Sequence, residues 1–473
     1  MDIEGRANFL VYRNAKNMKS KIEKLHCLDD QFDIFQKLYQ RYDKVFILES
    51  LVGPKPLSEV SVIGFDPELV ISCDMNKLRV CNRSGVQEVR DVVDPLTQLR
   101  EFLPAVSDHR YRYLGGAVGY VSYDLVRFWE KLRKRRTLKS DFPLLEFGIF
   151  RDGILYDHSN MQPYYFSTDS ASRLREVREI LSGETVNPNL DAFSSKNPKQ
   201  NIHQEEFVEM VEKAKKYLYD GDIFQIVLSK RITFRVFGNP MVVYARLRKI
   251  NPSPYMYFFK IKKRAIIGSS PEMLLRVTGK LVETFPIAGT RPVAKDENEN
   301  ERLKQDLLSD EKEVAEHTML VDLARNDIGK VSKFGTVKIR ELMKIKSFSH
   351  VQHIVSHIEA NLNPNSDSFD AFKAVFPAGT VSGAPKLRAM QIIDELEPRI
   401  RGPYAGAVGY FSVNGSCDFA IAIRSIFANG NTAFVQSGAG IVVDSHPIKE
   451  WRETEQKANA LLLALEKSNP DVQ

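Results

Sequence analysis

The most regular hydrophobic pattern in the chain begins shortly after residue 204. Apolar side chains recur there at the spacing of one helical face, at Phe207, Met210, Val211, Ala214 and Leu218. Gly221-Asp222 predicts the end of this helix. The next residues, Ile223–Arg231, change to a period of two, which is typical of a β-strand. The strand is predicted to place Ile226 and Leu228 on one face and Gln225 and Val227 on the other.

The other predicted helices and strands show no regular strand–helix–strand repeat. The predicted helices include residues 309–323, 385–395 and 447–466, and the predicted strands include residues 45–48, 60–63, 405–412, 418–427 and 432–437. A doubly wound parallel sheet would require strands and helices to alternate. The pattern therefore predicts an α+β fold.

One stretch interrupts these elements. Residues 183–204 lack apolar periodicity and contain Pro188, Pro198, two adjacent serines and several asparagines, which is typical of a linker. We therefore expect an N-terminal lobe over residues 1–182, a linker over residues 183–204, and a second region over residues 205–473.

Composition and charge exclude several classes of protein. Apolar residues make up 43% and charged residues 27% of the chain, and 67 basic against 61 acidic residues leave a net charge of +6, so neither nucleic-acid nor membrane binding is indicated. No secretory signal pattern begins the chain, and no apolar run approaches the roughly 20 residues that span a bilayer. The four cysteines, at positions 27, 73, 81 and 417, form no CxxC pair. We expect a cytoplasmic protein without disulfides.

Two predicted helices carry paired carboxylates. Glu313 and Glu316 lie three residues apart on one helix, and Glu450 and Glu453 repeat this spacing on the C-terminal helix, so each pair projects from one side. If these faces met, four carboxylates would converge, and an all-oxygen site of this kind suits Mg²⁺. Either pair alone is more typical of a solvated helix face.

The chain between the two pairs is rich in glycine. Residues 377–386 open a predicted helix whose N-terminal amides could face an anion. Residues 401–410 and 436–442 are further glycine-rich segments that lead into or end strands. Arg424 lies within the apolar run 419–427, predicted as one strand, where a buried guanidinium requires a partner such as a carboxylate. Together these features predict a pocket for a small anionic substrate.

A series of long motifs extends from Gln225 to the C-terminal helix. They read IFQIVLSKR, NPSPYM, GSSPEM, ETFPIAGTRP, EHTMLVDLARNDIGKV, VQHIVSHI, FPAGTVSGAPKLRAMQIIDELEP, RGPYAGAVGY, FAIAIRS, GAGIVVDS and EWRETEQK. These motifs resemble those of the chorismate-utilising enzymes, and most closely those of the large subunits (component I) of anthranilate synthases. The resemblance implies a two-lobed α+β fold of large antiparallel β-sheets flanked by helices, with regulation in the first lobe and the active site in the second.

The resemblance also implies the roles of individual residues. Mg²⁺ is expected at Glu316 and Glu453, supported by Glu313 and Glu450, where it would hold the ring carboxylate of chorismate and favour loss of the ring hydroxyl. The implied substrate-binding residues are Gly289, Thr290, Tyr404, Arg424, Gly438, Gly440 and Lys457. The implied catalytic residues are Glu272 as an acid for the leaving hydroxyl, His353 for proton transfer, and Thr290 beside the ring.

Two positions separate relatives by their chemistry. Relatives that add water to chorismate carry a lysine base where this chain has Gln225, and an amide cannot abstract a proton from water. Relatives that make 4-amino-4-deoxychorismate often carry lysine in place of Ala288, where its amine can attack the ring. The sequence therefore favours direct attack by ammonia and loss of pyruvate to give anthranilate, a lyase reaction that begins tryptophan biosynthesis.

A regulatory site is implied as well. Glu49, Ser50, Asn251, Pro254, Tyr255 and Met256 match the segments that bind tryptophan as a feedback inhibitor in this family. Residues 58–61 and 293–294 depart from the usual family pattern, which affects the inhibitor site and the loop after Arg291 respectively.

The last expectations concern the source of ammonia and the alternative functions of the chain. None of the four cysteines sits in the glycine-rich elbow of a glutaminase, so we expect a separate glutamine amidotransferase subunit (component II) and a hetero-oligomer. The alternative functions are an aminodeoxychorismate synthase component I of the folate pathway, and a non-catalytic tryptophan-binding regulator.

Overall fold

A computed structural model describes residues 16–18, 20–52, 59–132, 140–168, 172–184, 192–347 and 351–466 of the chain. The strands are β1 (Lys16–Met18), β2 (Lys21–Lys24), β3 (Lys44–Glu49), β4 (Val60–Phe65), β5 (Leu69–Cys73), β6 (Lys77–Asn82), β7 (Gln87–Asp91), β8 (Ala105–Val106), β9 (Gly116–Val121), β10 (Leu145–Phe150), β11 (Asp152–Asp157), β12 (Gln162–Ser167), β13 (Phe193–Gln200), β14 (Gln225–Gly238), β15 (Tyr255–Ile261), β16 (Arg264–Ser270), β17 (Met273–Thr278), β18 (Leu281–Thr284), β19 (Ile287–Pro292), β20 (Lys338–Ser347), β21 (Val351–Asn361), β22 (Gly383–Ala384), β23 (Ala407–Ser412), β24 (Cys417–Ile421), β25 (Ser425–Asn429) and β26 (Thr432–Ile441).

Helices flank these strands. They are α1 (Gln31–Arg41), α2 (Pro95–Arg100), α3 (Leu174–Leu181), α4 (Gln204–Tyr219), α5 (Pro240–Ile250), α6 (Glu297–Ser309), α7 (Glu311–Gly329), α8 (Ser368–Val375), α9 (Gly379–Ser382), α10 (Lys386–Leu396) and α11 (Pro447–Leu465), with a 3₁₀ turn at Tyr123–Phe128. No helix of the described residues is long and apolar enough to cross a membrane.

Most of the strands belong to two large antiparallel sheets. Sheet I has the order β19-β21-β18-β17-β24-β23-β9-β10-β5-β6-β7, with β20 also paired to β21. Sheet II has the order β13-β14-β26-β25-β16-β15-β3-β4-β11-β12-β2, with β22 also paired to β14. The short strands β1 and β8 form a separate parallel pair. Large antiparallel sheets flanked by helices confirm the predicted α+β class.

Both sheets combine strands from distant parts of the chain. In sheet I, β9 pairs with β23, and Gly119 lies opposite Gly409. In sheet II, β3 pairs with β15, and Phe46 lies opposite Phe259. The two regions predicted from the sequence therefore share both large sheets.

The main hydrophobic core lies between the sheets. Phe147 and Phe411 of sheet I are fully buried in the same cluster as Tyr257 and Phe259 of sheet II. A second cluster packs α1, α5 and α11 against the other face of sheet II, and a third packs α4 and α10 against β14 and β26. Burial of Phe207, Met210, Val211, Ala214 and Leu218 in the third cluster agrees with the helical period in the sequence.

The linker predicted over residues 183–204 needs correction. Within it, Phe193–Gln200 forms β13, an edge strand of sheet II that pairs with β14, while residues 185–191 lie outside the described residues. Phe193 is buried and anchors the strand. Pro198 falls at a register shift between Lys196 and Lys199, an edge position where the missing N–H costs no ladder bond. The polar composition thus reflects an edge strand.

The prediction of a single strand over residues 418–427 is also wrong. The chain forms β24 in sheet I up to Ile421 and β25 in sheet II from Ser425. Between them Arg424 adopts φ +50°, a left-handed conformation that turns the chain from one sheet to the other. Arg424 therefore lies at a crossing between the sheets rather than within a strand.

Candidate active site

One large cavity, of about 1840 Å³ including its open mouth, lies where α7 and α11 meet the ends of the two sheets. Its lining includes every residue predicted from the sequence to be catalytic, substrate-binding or metal-binding. These residues are Glu272, Gly289, Thr290, Glu313, Glu316, His353, Tyr404, Arg424, Gly438, Gly440, Glu450, Glu453 and Lys457. Because these residues line one cavity, their side chains could act on the same bound molecule. Their individual roles stay predictions.

The two carboxylate pairs come from the first two turns of α7 and α11. Asp310 caps α7 by accepting the backbone N–H groups of Lys312 and Glu313, which holds the turn that carries Glu313 and Glu316. Burial raises the pKa of Glu313, and the adjacent Glu316 raises it further. Burial also raises the pKa of Glu450, to which Glu453 adds.

These carboxylates share the cavity without converging on one point. Among the described residues, no three histidine, cysteine, aspartate or glutamate side chains are grouped closely enough to hold one ion together. The donor set nevertheless fits a hard cation, because it is all oxygen and its carboxylates disfavour each other's charge.

Two of these carboxylates, Glu316 and Glu453, contact polar side chains of the protein itself. The Gln225 amide nitrogen donates to Glu316 Oε1 at 2.7 Å, and Gly440 leaves room for this amide, because a Cβ there would lie 2.8 Å from its nitrogen. Lys457 Nζ lies 2.6 Å from Glu453 Oε1 and 3.1 Å from the Gly438 carbonyl oxygen. The predicted substrate lysine is thus paired with a predicted metal ligand.

Arg424 is directed to the cavity by the crossing between β24 and β25. Its half-buried guanidinium forms no hydrogen bond or ion pair with the described part of the chain. Burial lowers its pKa, although the nearby Tyr404 and Glu453 oppose this shift. A guanidinium in this setting presents a cationic fork suited to a carboxylate.

His353 on β21 is held by the paired strand β19, which contains Gly289. Its Nδ1 lies 2.7 Å from the Gly289 carbonyl oxygen and 3.1 Å from the Thr290 hydroxyl. Burial lowers the pKa of His353, although the Gly289 contact opposes this shift. Gly289 has φ +64°, and a Cβ would lie 2.7 Å from a Leu307 methyl carbon. The backbone at this position therefore requires glycine.

Glu272 lines the cavity and directly precedes β17. Its side chain is buried, and burial raises its pKa to about 7, although the Thr380 hydroxyl and Lys457 oppose the shift. A carboxyl group with this pKa is substantially protonated at neutral pH and can act as a general acid.

Sequence reasoning did not single out several cavity residues. They are Lys312, Thr380, Gln436 and Gln456. Thr380 belongs to the segment 377–386 that was predicted to face an anion, so its motif carried a signal. Gln436 begins the glycine-rich segment 436–442 and Gln456 lies in the motif EWRETEQK, so their segments carried a signal although the two side chains were not singled out.

A second cavity, of about 960 Å³ including its mouth, lies between the sheets and contains most of the predicted inhibitor site. Glu49, Ser50, Pro254, Tyr255 and Met256 line it. Asn251 is not part of this lining, and its side-chain amide donates to Ser269 Oγ at 2.8 Å. Contact of Asn251 with the inhibitor therefore stays a prediction.

The carboxylate of Glu49 is already occupied within the protein. Arg248 Nε and the Tyr244 hydroxyl donate to its Oε1 at 2.7 Å and 2.6 Å. Arg248 Nη2 and the Gln31 amide donate to Oε2 at 3.0 Å and 3.2 Å. The polar end of the cavity is instead formed by Asp418, which pairs with Arg276 and accepts the Tyr255 hydroxyl at 3.0 Å.

Several known proteins are similar to this chain in sequence or in structure. The chain is 45% identical to anthranilate synthase component 1 of Methanothermobacter thermautotrophicus over 95% of this chain and 94% of that protein. It is 38% identical to aminodeoxychorismate synthase component 1 of Bacillus subtilis over 92% of this chain and 95% of that protein. The crystal structure of anthranilate synthase component I from Streptococcus pneumoniae superposes with a TM-score of 0.76, at 37% identity, over 85% of this chain and 92% of that chain. Residues 43–463 match the family described as chorismate binding enzyme. The chain therefore belongs to the family of chorismate-binding enzymes.

Proposed function

We propose that this chain converts chorismate and ammonia to anthranilate, pyruvate and water. The observation that carries the proposal is the environment of Gln225, whose neutral amide donates to Glu316 inside the cavity. Water-adding relatives carry a lysine base at this position, and an amide cannot replace it. Ammonia is already a nucleophile and needs no base, so amination is the reaction that this cavity suits.

The first half-reaction would use Glu272 as the acid. Ammonia forms a bond to the ring carbon, and the ring hydroxyl leaves as water after it accepts the Glu272 proton. The raised pKa of Glu272, about 7, keeps that proton available near neutral pH. Ala288 is buried beside this site and offers no amine for a covalent route.

The second half-reaction would use His353 as the base. The Gly289 carbonyl can only accept, so Nδ1 of His353 carries the proton and Nε2 is the basic nitrogen. Its lowered pKa keeps the ring neutral at pH 7. Removal of the ring proton forms the aromatic ring, and the enolpyruvyl group leaves with a proton as pyruvate.

Substrate charge would be met by two kinds of group. Arg424 has the planar fork that suits a carboxylate, and Tyr404 is buried next to it with a hydroxyl for a second contact. Glu313, Glu316, Glu450 and Glu453 would hold Mg²⁺. When bound, the ion would neutralise the ring carboxylate of chorismate against these glutamates and favour departure of the hydroxyl.

Ammonia would be supplied from glutamine by a separate amidotransferase subunit. Burial raises the pKa of Cys27, Cys73 and Cys417, which is opposite to the shift that activates a nucleophilic thiol. Cys81 lies on β6 and not in a strained turn. The relatives named component 1 are consistent with a two-component enzyme.

Regulation by tryptophan is the remaining part of the proposal. The second cavity offers an apolar wall from Val62, Met256 and Leu155, and a polar end around Asp418. An indole ring and an amino group match these two ends in character. Glu59 and Val60, which belong to the stretch that departs from the family pattern, also line this cavity.

The deciding experiment incubates the purified chain with chorismate, Mg²⁺ and an ammonium salt at alkaline pH, and identifies the product by fluorescence and mass. Anthranilate and pyruvate in equal amounts are expected without any partner. The similarity to aminodeoxychorismate synthase component 1 makes 4-amino-4-deoxychorismate the rival product. That product retains the enolpyruvyl group and therefore has a larger mass than anthranilate. Its detection as the main product would contradict the proposal.

A further inference from the structure

Arg401 is a charged side chain that is almost completely enclosed, with 1% of its surface exposed. Its Nη2 lies 2.7 Å from Glu397 Oε1 and its Nε lies 3.0 Å from Glu397 Oε2, which makes a two-point ion pair. Glu397 Oε1 also accepts the backbone N–H and the hydroxyl of Ser229, at 2.9 Å and 2.8 Å. The pair is therefore neutral overall and tied to β14.

The other donors of Arg401 bind the wall of the catalytic cavity from behind. Nη1 donates to the Val381 carbonyl oxygen at 2.6 Å, and Nη2 donates to the Val227 carbonyl oxygen at 2.7 Å. The guanidinium carbon also lies 5.8 Å from the centre of the Tyr404 ring. Val227, Val381 and Tyr404 line the cavity and come from three separate segments of the chain.

A fourth cavity residue is connected to the same ion pair. The Gln436 amide donates to Ser229 Oγ at 2.8 Å, and that hydroxyl donates to Glu397. Arg401 itself is buried and does not line the cavity, so it would not touch a bound substrate directly. One buried guanidinium thus links β14, α9, β26 and the segment before β23 on the side of the cavity that holds Tyr404.

We propose that Arg401 is a positioning residue for chorismate binding, which sets the wall formed by Val227, Val381 and Tyr404. The inference rests on the proposed function, because chorismate is the ligand that this wall would contact. A planar fork with five N–H donors can bind one carboxylate and two carbonyl groups together. An ammonium group at the same place cannot reproduce that geometry.

A purely structural role can be separated from a positioning role. A buried ion pair replaced by neutral side chains of similar size is often tolerated without loss of stability. The double variant Arg401→Met/Glu397→Gln removes both charges and keeps an acceptor for Ser229. It is expected to fold, while the two carbonyl groups and Tyr404 lose their common anchor.

The test compares the wild-type chain, the double variant and Arg401→Lys in steady-state assays with chorismate, Mg²⁺ and ammonium salt. Chorismate binding without ammonia is also measured by calorimetry, and circular dichroism reports folding. We expect KM and the dissociation constant for chorismate to rise about tenfold in both variants, while kcat falls less than threefold. If the double variant does not fold, Arg401→Lys is judged by the same criteria.

The matched control is Arg264→Met/Glu146→Gln. Glu146 is fully buried, and Arg264 Nε donates to it at 2.9 Å in a two-point pair that lines neither cavity. This control should keep the wild-type KM. A KM for chorismate within twofold of wild type in a folded Arg401 variant, or an equal rise in the control, would overturn the proposal. A wild-type chain that binds chorismate without forming anthranilate would instead reject the proposed reaction and leave the binding test of Arg401 intact.

Discussion

The Nδ1 atom of His353 lies 2.7 Å from the carbonyl oxygen of Gly289. This contact fixes the tautomer, because the carbonyl accepts the Nδ1 proton and leaves Nε2 as the basic nitrogen. The same strand, β19, carries Thr290, whose hydroxyl lies 3.1 Å from Nδ1. A ring held in this way can act as a base without reorienting.

Replacement of His353 by phenylalanine should keep the ring shape and remove the base. We expect kcat to fall by at least about a hundredfold, and the aminated but non-aromatic ring product to accumulate, because the second half-reaction would be blocked. Rapid-quench mass spectrometry would detect that species. His357→Phe is the control, since His357 lies on the same strand but pairs with Glu283 at 3.0 Å outside the cavity. Turnover of His353→Phe within tenfold of wild type would contradict the assigned role.

Glu272 should make the stability of the protein depend on pH. Its pKa is raised from 4.5 to about 7 in the folded chain, so between these values the folded state binds more protons than the unfolded state. Stability therefore falls as pH rises through this window, by up to about 3 kcal/mol. Glu272→Gln should lack this contribution, and urea unfolding of both proteins at pH 5 and pH 8 would measure it. Equal differences between the two proteins at both pH values would show that Glu272 ionises normally.

The glutamate pairs should control binding of a divalent ion. Glu316→Gln and Glu453→Gln each remove one charged donor, so we expect Mn²⁺ affinity, measured by electron paramagnetic resonance, to fall on the order of ten- to a hundredfold. Glu311→Gln is the matched control, because Glu311 is an exposed carboxylate in the first turn of the same helix, α7. Unchanged Mn²⁺ affinity in both variants would contradict the proposal that these glutamates bind a metal ion.

The second cavity should control inhibition and not catalysis. Ser50 is a small buried residue of its lining, and Ser50→Phe would fill part of the space available to an indole ring. We expect the inhibition constant for tryptophan to rise at least about tenfold, because overpacking there competes directly with the ligand. Activity without tryptophan should stay within twofold. Thr278→Phe, on the exposed end of β17, is the control, and unaltered inhibition of Ser50→Phe would place the regulatory site elsewhere.

The parts of the fold that sequence predicted best are those with strong local periodicity. Helices α4, α7, α10 and α11 each bury one face, so their apolar spacing is visible in the chain. The crossing at Arg424 had no such signal. Its left-handed backbone occurs in an apolar stretch without glycine or asparagine, so tertiary contacts and not local preference determine it.

The candidate site also has parts that the sequence could predict and parts that it could not. Motifs indicated that Glu272, His353 and the glutamate pairs belong together, and the fold brings them to one cavity. They could not indicate that Glu49 is occupied by Arg248, because this pairing depends on side-chain positions on β3 and α5, which are distant in sequence. The Glu453–Lys457 pair, by contrast, has the i,i+4 spacing of one helix and is visible in the sequence.

The interleaving of the two sheets has a consequence for synthesis of the chain. Gly402 donates its N–H to Asp124, 278 residues earlier, and β9 finds its partner β23 only when the last fifth of the protein has been made. Until β23 is made, β9 would expose an unpaired edge as the chain leaves the ribosome, and β3 would do so until β15 is made. Contacts of this sequence separation slow folding and leave intermediates prone to association. The N-terminal region should therefore need protection by chaperones during translation, and it should be insoluble when it is expressed alone.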